Sequence, residues 1–449
     1  MAYEIEGKKV LVVGLGKTGI AAARFAASRG ARVVATDSKP LEALGDDVAR
    51  LGTEGIVLEC GGHRQASFTS VDLIVLSPGV PPLAEIAAAD AAGVTVVSEI
   101  ELAASFLRGQ VVAITGTNGK STVTTLAGAM LTASGIPTWT GGNLGTPLVF
   151  AVGTPAAEAG GVAVIEVSSF QLERTRFFRA NVATLLNVTE DHLDRYRSFA
   201  AYAAAKARVF LAQRTTDHVA VRAGDRVSEA LARASRASLH SYGDGGEVIV
   251  SGNDVHDTAT GERYAKGLLG APSDVLVENA CAAILTARLA GATPDGIRRG
   301  LSEFRPLPHR MELVGEAGGI RFVDDSKATN VGAAVRAIRG AGGKVVLIAG
   351  GRDKGGDYGP LRAEVARTVR AVVLIGEARA RMEEALRGAA ALAAASDMDD
   401  AVTVALRLAE PGDAVLLAPA CSSYDMFANY EERGRAFRTA VERQTGRAA

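Results

Sequence analysis

The run Val111-Val112-Ala113-Ile114-Thr115-Gly116-Thr117-Asn118-Gly119-Lys120-Ser121-Thr122 constrains this chain more than any other. Its apolar, largely β-branched start predicts a strand, the glycines predict a turn, and Val123, Leu126 and Met130 at helical spacing predict a helix. A strand feeding a helix through such a turn points to α/β architecture and to a phosphate cradle. Glycines let backbone N–H groups close on phosphate oxygens, and the helix N-terminus adds partial positive charge. Lys120 can reach β/γ-phosphates and the Ser121 hydroxyl can ligate Mg²⁺. The spacing Gly-x-x-Gly-Lys-Ser is two residues shorter than the common P-loop, so this is a variant of it.

Similar strand-like runs alternate with Ala-rich helical stretches along most of the chain. Val10–Val13, Val33–Ala35, Leu73–Leu76 and Val94–Val97 form one series. A second begins at Val111 and includes Val162–Val167 and Val182–Leu186; a third comprises Ile320–Val323, Lys344–Ala349, Val372–Ile375 and Ala414–Leu417. Such alternation predicts parallel sheets flanked by helices. From Ala212 to Ser273 the pattern is irregular and predicts shorter strands and loops. Closely spaced prolines in Phe304-Arg-Pro-Leu-Pro-His-Arg310 mark a linker. A chain of 449 residues exceeds one comfortable core. Three α/β domains follow: residues 1–99, 100–307 and 308–449.

Lys+Arg 49 against Asp+Glu 50 argues against a general nucleic-acid or membrane-surface binder. Cys60, Cys281 and Cys421 are scattered, which suggests reduced thiols rather than disulfides or a zinc site. No apolar run approaches the ~18 residues that span a bilayer. The start, Met1-Ala-Tyr-Glu-Ile-Glu-Gly-Lys-Lys, lacks the apolar core of a signal peptide. A soluble, cytoplasmic protein is expected.

Gly14-Leu15-Gly16-Lys17-Thr18-Gly19 follows a strand, with Asp37 at the end of the next. Alone this reads as a dinucleotide fold with Asp37 on a ribose, but the glycines suit any diphosphate. Ser77-Pro78-Gly79-Val80 adds a second turn that could enclose the same ligand. Glu166 ends an apolar run, where a carboxylate is placed to hold Mg²⁺. His192, in Asn187-Val-Thr-Glu-Asp-His192-Leu-Asp-Arg-Tyr196, could bind metal or substrate, or lie on the surface. In the third series, Asp324-Asp-Ser-Lys-Ala-Thr-Asn330, Gly350-Gly-Arg-Asp-Lys-Gly355 and Ala420-Cys-Ser-Ser-Tyr-Asp425 each follow a strand. That is where an open α/β sheet holds a ligand. Lys327, Lys354, Thr329 and Ser423 suit a small anion, and Cys421 reads as a packed thiol rather than a nucleophile.

These motifs, with Gly141-Gly-Asn143 and Glu166-Val-Ser-Ser-Phe-Gln-Leu-Glu173, resemble the Mur ligase family, ATP-dependent enzymes that build the peptide stem of the bacterial cell wall. Asp324–Asn330 and Gly14–Gly19 point to its D-glutamate-adding branch, and the resemblance covers essentially the full length. It implies a Rossmann-like N-terminal domain holding UDP rather than NAD, a P-loop ATPase-like centre and a Rossmann-like C-terminal domain. The implied substrates are UDP-N-acetylmuramoyl-L-alanine, D-glutamate and ATP, joined through an acyl phosphate by a monomer with no nucleic acid and no membrane insertion.

Residue by residue, the resemblance places Thr18, Asp37, Ser38, Pro78 and Gly79 on the uridine nucleotide, and Asn143, Ser168 and His192 on the rest of that substrate. Gly116, Thr117, Asn118, Gly119, Lys120, Ser121 and Thr122, with Asn279, Arg310 and Asp325, fall to ATP. Ser121, Glu166, His192 and Lys206, the last carbamylated by CO₂, match the ligands of two Mg²⁺ ions. Lys120, Glu166, His192 and Lys206 form the catalytic set; Lys327, Thr329, Lys354, Ser423 and Tyr430 form the D-glutamate pocket. The chain departs from the family at Val275-Leu276, usually His-Asn, and at Tyr430, commonly Phe. Rival readings are a nicotinamide dehydrogenase, a nucleotide-controlled switch and a family member adding another amino acid.

Overall fold

The computed structural model describes residues 3–270 and 273–446. Met1-Ala2, Ala271-Pro272 of the irregular region and the last three residues lie outside it. Among the described residues one compact unit is drawn from Met1–Val188, Ala203–Pro272 and Val277–Phe304. The other is drawn from Thr189–Tyr202, Ser273–Leu276 and Arg305–Ala449.

The first unit holds two sheets. β1 (Lys9–Val13), β2 (Arg32–Asp37), β3 (Val57–Cys60), β4 (Leu73–Leu76) and β5 (Thr95–Ser98) pair in the order β3-β2-β1-β4-β5, all parallel. Val10–Val13 are fully buried because helices cover both faces, as a continuous apolar run requires. The order reverses at β1, so the carboxyl ends of β1 and β4 open a crevice.

The second sheet runs through β6 (Gln110–Thr115), β7 (Thr138–Gly142), β8 (Val162–Glu166), β9 (Val182–Leu185), β10 (His218–Arg222), β11 (Ser238–Tyr242), β12 (Val248–Ser251), β13 (Asp254–Asp257) and β14 (Arg263–Ala265). β6 lies between β8 and β9, and antiparallel pairing begins only at β12–β13. The irregular region therefore continues this sheet: β10 to β14 are its edge half, too short and polar to announce themselves.

In the second unit, β15 (Glu312–Ala317), β16 (Ile320–Asp324), β17 (Val345–Gly350), β18 (Val369–Ile375), β19 (Ala391–Ala394) and β20 (Ala414–Leu417) pair as β15-β16-β20-β17-β18-β19. Only β15 is antiparallel. The α/β expectation with three sheets holds. No helix among the described residues is long and apolar enough to cross a membrane.

Glu101, in helix Glu99–Ala104, accepts from the backbone N–H of Arg176, Phe177 and Phe178 at 3.1, 2.9 and 2.8 Å and from the Tyr3 hydroxyl at 2.9 Å. This buried carboxylate joins the first sheet's exit to the second sheet. Glu101→Ala strands those donors and should cost roughly 2–4 kcal/mol. Urea unfolding should show a lower midpoint for Glu101→Ala and an intermediate one for Glu101→Gln.

Candidate active site

The glycine turn after β6 forms as expected. Gly119 has φ +87 and caps helix Lys120–Ala133, and a Cβ there would lie 2.6 Å from Asn279 Oδ1. The backbone angle favours glycine, and the close approach places Asn279 against the turn. The turn is clamped from β9: Asn187 accepts from Thr117 N–H through its carbonyl at 2.8 Å and from Asn118 N–H through Oδ1 at 3.0 Å. Its Nδ2 donates back to the Asn118 carbonyl at 3.1 Å. Lys120 Nζ donates to the carbonyls of Gly116 and Thr117 at 2.9 Å. Lys206 is buried, and its Nζ donates to the same Gly116 carbonyl at 2.8 Å.

Ser121 and Thr122 occupy the first helical turn. The buried Ser121 hydroxyl donates to Glu166 Oε2 at 2.5 Å, and Asn143 Nδ2 donates to Glu166 Oε1 at 2.7 Å. The apolar setting of Glu166 is thus met by two donors, as burial of a carboxylate demands. Ser168 instead caps helix Ser169–Leu172, in a reciprocal box with Gln171. Ser-x-x-Gln is a capping signature, legible in the sequence.

At the crevice of the first sheet, a cavity of about 440 Å³ is lined by Thr18, Asp37, Ser38, Pro78, Gly79 and Asn143. Six of the eight residues assigned to the UDP substrate therefore share one space; Ser168 and His192 do not line it. A Cβ on Gly19 would lie 1.8 Å from the Gly14 carbonyl, so the third glycine is a packing requirement. Asp37 accepts from Leu15 N–H at 2.7 Å and Lys39 N–H at 2.9 Å, tying the turn to the end of β2. Lys17, Lys39 and His63 line the cavity too, and the sequence reading passed over them.

In the second unit a cavity of about 350 Å³ is lined by His192, Thr329 and Lys354 together with Asp191, Asn330 and Tyr358. Lys354 Nζ lies 3.2 Å from Asp191 Oδ1, and Asn330 Nδ2 donates to Asp191 Oδ2 at 2.9 Å. Burial pushes the Asp191 carboxyl up, but Lys354, His192 and Asn330 outweigh it and hold it below its ordinary range. Ser423, Lys327 and Tyr430 do not line this cavity. Lys327 Nζ sits 3.8 Å from the Tyr430 ring centroid, and Ser423 is buried at the turn holding Met426 and Phe427. Buried Arg433 donates to the carbonyls of Ser326 and Cys421, fastening two of the three loops. Nothing in the sequence marked that arginine among the many in its helix.

Four non-glycine residues among those described have positive φ: His192, His309, Met311 and Ala420. His192 and Ala420 line the second-unit cavity, and His309 and Met311 flank Arg310. Such backbone costs of order 1–3 kcal/mol per residue and gathers where function over-determines conformation. Arg310 is the charge that most opposes the effect of burial on Asp325.

Family comparisons match three successive stretches: the Mur ligase MurD-like N-terminal domain over residues 8–98, the Mur ligase middle domain over 114–287 and the Mur ligase glutamate ligase domain over 309–421. A relative from Acidobacterium capsulatum, named UDP-N-acetylmuramoylalanine–D-glutamate ligase, is 45% identical over 99% of this chain and 98% of its own. One from Anaeromyxobacter dehalogenans with the same name is 47% identical over 99% of each. The chain belongs to the Mur ligase family. Among solved structures, MurF ligase from Thermotoga maritima in complex with ADP superposes with TM-score 0.61 at 17% identity, over 98% of this chain and 96% of that one. A pseudomurein peptide ligase type C from Methanothermus fervidus gives 0.61 at 19%, over 97% and 100%. At those identities the likeness is one of fold.

Asp325, just after β16, is pushed up to about 7, chiefly by burial and further by Asp324, against the pull of Arg310. A carboxyl whose folded pKa exceeds its unfolded value binds more protons when folded, so stability falls as pH rises through about 4 to 7. Asp325→Asn should flatten that part of the profile. The variant should gain stability relative to wild type at pH 8 and lose that gain near pH 4, in thermal melts across pH.

Proposed function

We propose that this chain joins D-glutamate to UDP-N-acetylmuramoyl-L-alanine, with conversion of ATP to ADP and phosphate. The observation that carries the reading is one glycine cradle bearing Lys120, Ser121, Glu166 and Lys206, in a chain matched over nearly its whole length by relatives of that name. The glycine fingerprint of residues 1–99 then holds UDP rather than NAD. Residues 100–307 hold ATP, with Asn279 beside the turn, and residues 308–449 hold D-glutamate.

The L-alanyl carboxylate attacks the γ-phosphorus and the bond to the ADP oxygen breaks, giving an acyl phosphate. Lys120 and the N–H groups of the turn stabilise charge on the transferring group, which is the main work of phosphoryl transfer. The D-glutamate amine attacks the acyl carbon and loses a proton, and phosphate leaves with the electron pair. Lys354 and Thr329 hold the amino acid's carboxylates, and Lys327, Ser423 and Tyr430 are assigned to the same ligand by the family resemblance alone. Arg310 and Asp325 complete the ATP contacts.

A hydroxyl and a carboxylate 2.5 Å apart and buried are a hard oxygen pair, which fits Mg²⁺. Ser121 and Glu166, with His192 and Lys206, would hold two such ions, whose chemistry is to neutralise phosphate charge. Lys206 as an ammonium adds a second cation at the cradle. Reaction of its amine with CO₂ and loss of a proton makes it an anionic carbamate. The enzyme works as a cytoplasmic monomer.

Product mass, read after incubation with the UDP-sugar, ATP and each of D-glutamate, L-glutamate, D-alanine and a diamino acid, tests the assignment. D-Glutamate alone should be added, and ADP should form only when both acceptors are present; addition of another amino acid would refute it. Lys120→Ala should lower ADP formation about 10²–10³-fold while thermal melting stays near wild type, since it removes one donor aimed at developing charge. Lys354→Ala leaves a carboxylate unpaired and should raise KM for D-glutamate roughly ten-fold or more, with KM for ATP little changed. Steady-state kinetics with each substrate varied reads both.

A further inference from the structure

We infer that His63 reads the pyrimidine edge of the nucleotide in the N-terminal cavity and selects uracil over cytosine. This rests on the UDP reading above and names a residue within it. The cavity is graded along the sheet. Gly16 and Thr18, after β1 at the start of helix Lys17–Ser28, offer backbone N–H groups and helix-end charge, which suit the diphosphate. Asp37 ends the neighbouring strand β2, and His63 follows β3, the next strand outward. Moving from β1 to β3 therefore leads from phosphate through sugar to base.

His63 is built into that place rather than merely near it. Gly61 N–H donates to the carbonyls of Asp37 and Lys39 at 3.1 and 2.8 Å, and Gly62 N–H to that of Asp37 at 3.2 Å. Gly61 and Gly62 have φ +86 and +144, so this docking uses two consecutive glycines. The fully buried Thr36 hydroxyl lies 3.0 Å from His63 Nδ1, and the buried Phe68 ring packs edge-on at 5.8 Å between centroids. With Nδ1 engaged by Thr36, Nε2 is the ring nitrogen left for a ligand.

The Thr36 hydroxyl also donates to the Gly62 carbonyl at 3.3 Å, so it accepts from Nδ1–H and leaves Nε2 bare. Set opposite the 3-position of the pyrimidine, bare Nε2 accepts uracil N3–H, where cytosine N3 also only accepts. A mismatch leaves two like groups facing each other in a partly dry pocket, which a single fixed partner turns into discrimination.

Calorimetric titration of the full chain with UDP, CDP and ATP tests this, with thermal melting as the check on folding. Wild type should prefer UDP over CDP ten-fold or more. His63→Ala should weaken UDP about ten-fold, bring the UDP/CDP ratio close to one and leave ATP unchanged. His63→Phe keeps the ring against Phe68, removes both nitrogens and should lose the same discrimination; it decides the matter if the alanine variant folds poorly. An unchanged ratio in a folded variant, equal weakening of UDP and CDP, or a wild type indifferent to the base would each overturn the inference. Failure of wild type to bind UDP at all would instead sink the functional reading.

Discussion

The carbonyl oxygen of Gly116 accepts from both Lys120 and Lys206, at 2.9 and 2.8 Å, and the chemistry depends on how that crowding is relieved. Two ammonium groups sharing one acceptor lie within about 6 Å of each other, where repulsion is about 3 kcal/mol at an effective dielectric of 20. On the proposed reading, phosphate oxygens bring negative charge to this end of the cradle. On the same reading, conversion of Lys206 to a carbamate would exchange one of the cations for an anion.

The second unit shows the complementary arrangement. Lys354 is already paired, to Asp191, and Asn330 steadies that carboxylate from the other side. On the proposed reading, an amino acid with its own carboxylates and ammonium would meet a cation and an anion already set at hydrogen-bonding distance. Its binding would exchange ion-pair partners rather than bury a bare charge, which keeps the desolvation cost low. Arg433 braces these loops: its guanidinium donates to the Ser326 hydroxyl and to the carbonyls of Ser326 and Cys421. Burial lowers it to about 10, so it remains charged at neutral pH.

Much of this was legible in the sequence because strands and glycine turns are local. Val111–Gly119 announced strand, turn and helix from periodicity and φ requirements, and the fingerprint at Gly14–Gly19 did the same. What stayed hidden was set by partners distant in sequence. Asn187 clamps the cradle across 69 positions, yet at a strand exit it looks like any polar residue. His63 follows two glycines that read as an ordinary turn until the structure places them against Asp37. The strands β11 to β14 were blurred because half-exposed strands alternate weakly and turn quickly. Six of the residues that the resemblance groups lie around one space, the N-terminal cavity. The resemblance could not show that Ser168 is engaged as a cap or that Lys327 rests on the Tyr430 ring.

A glycine fingerprint encodes close backbone approach to a diphosphate and is silent on what the diphosphate is attached to. That information lies in the residues around it, and Asn143 carries the decisive part. Its Nδ2 and its backbone N–H both go to Glu166, at 2.7 and 2.9 Å, while the same residue lines the cavity opened by the fingerprint. The carboxylate suited to a metal ion and the wall of the nucleotide cavity thus share one side chain. Gly142 permits this approach, since a Cβ there would lie 2.5 Å from the Glu166 carbonyl. A dehydrogenase has no use for such a bridge, because its cofactor reacts at a ring rather than at a phosphate. On the proposed reading, an enzyme that brings a carboxylate carried on a diphosphate-linked substrate to a phosphate beside a metal would use such a bridge, and Gly141-Gly142-Asn143 would supply it.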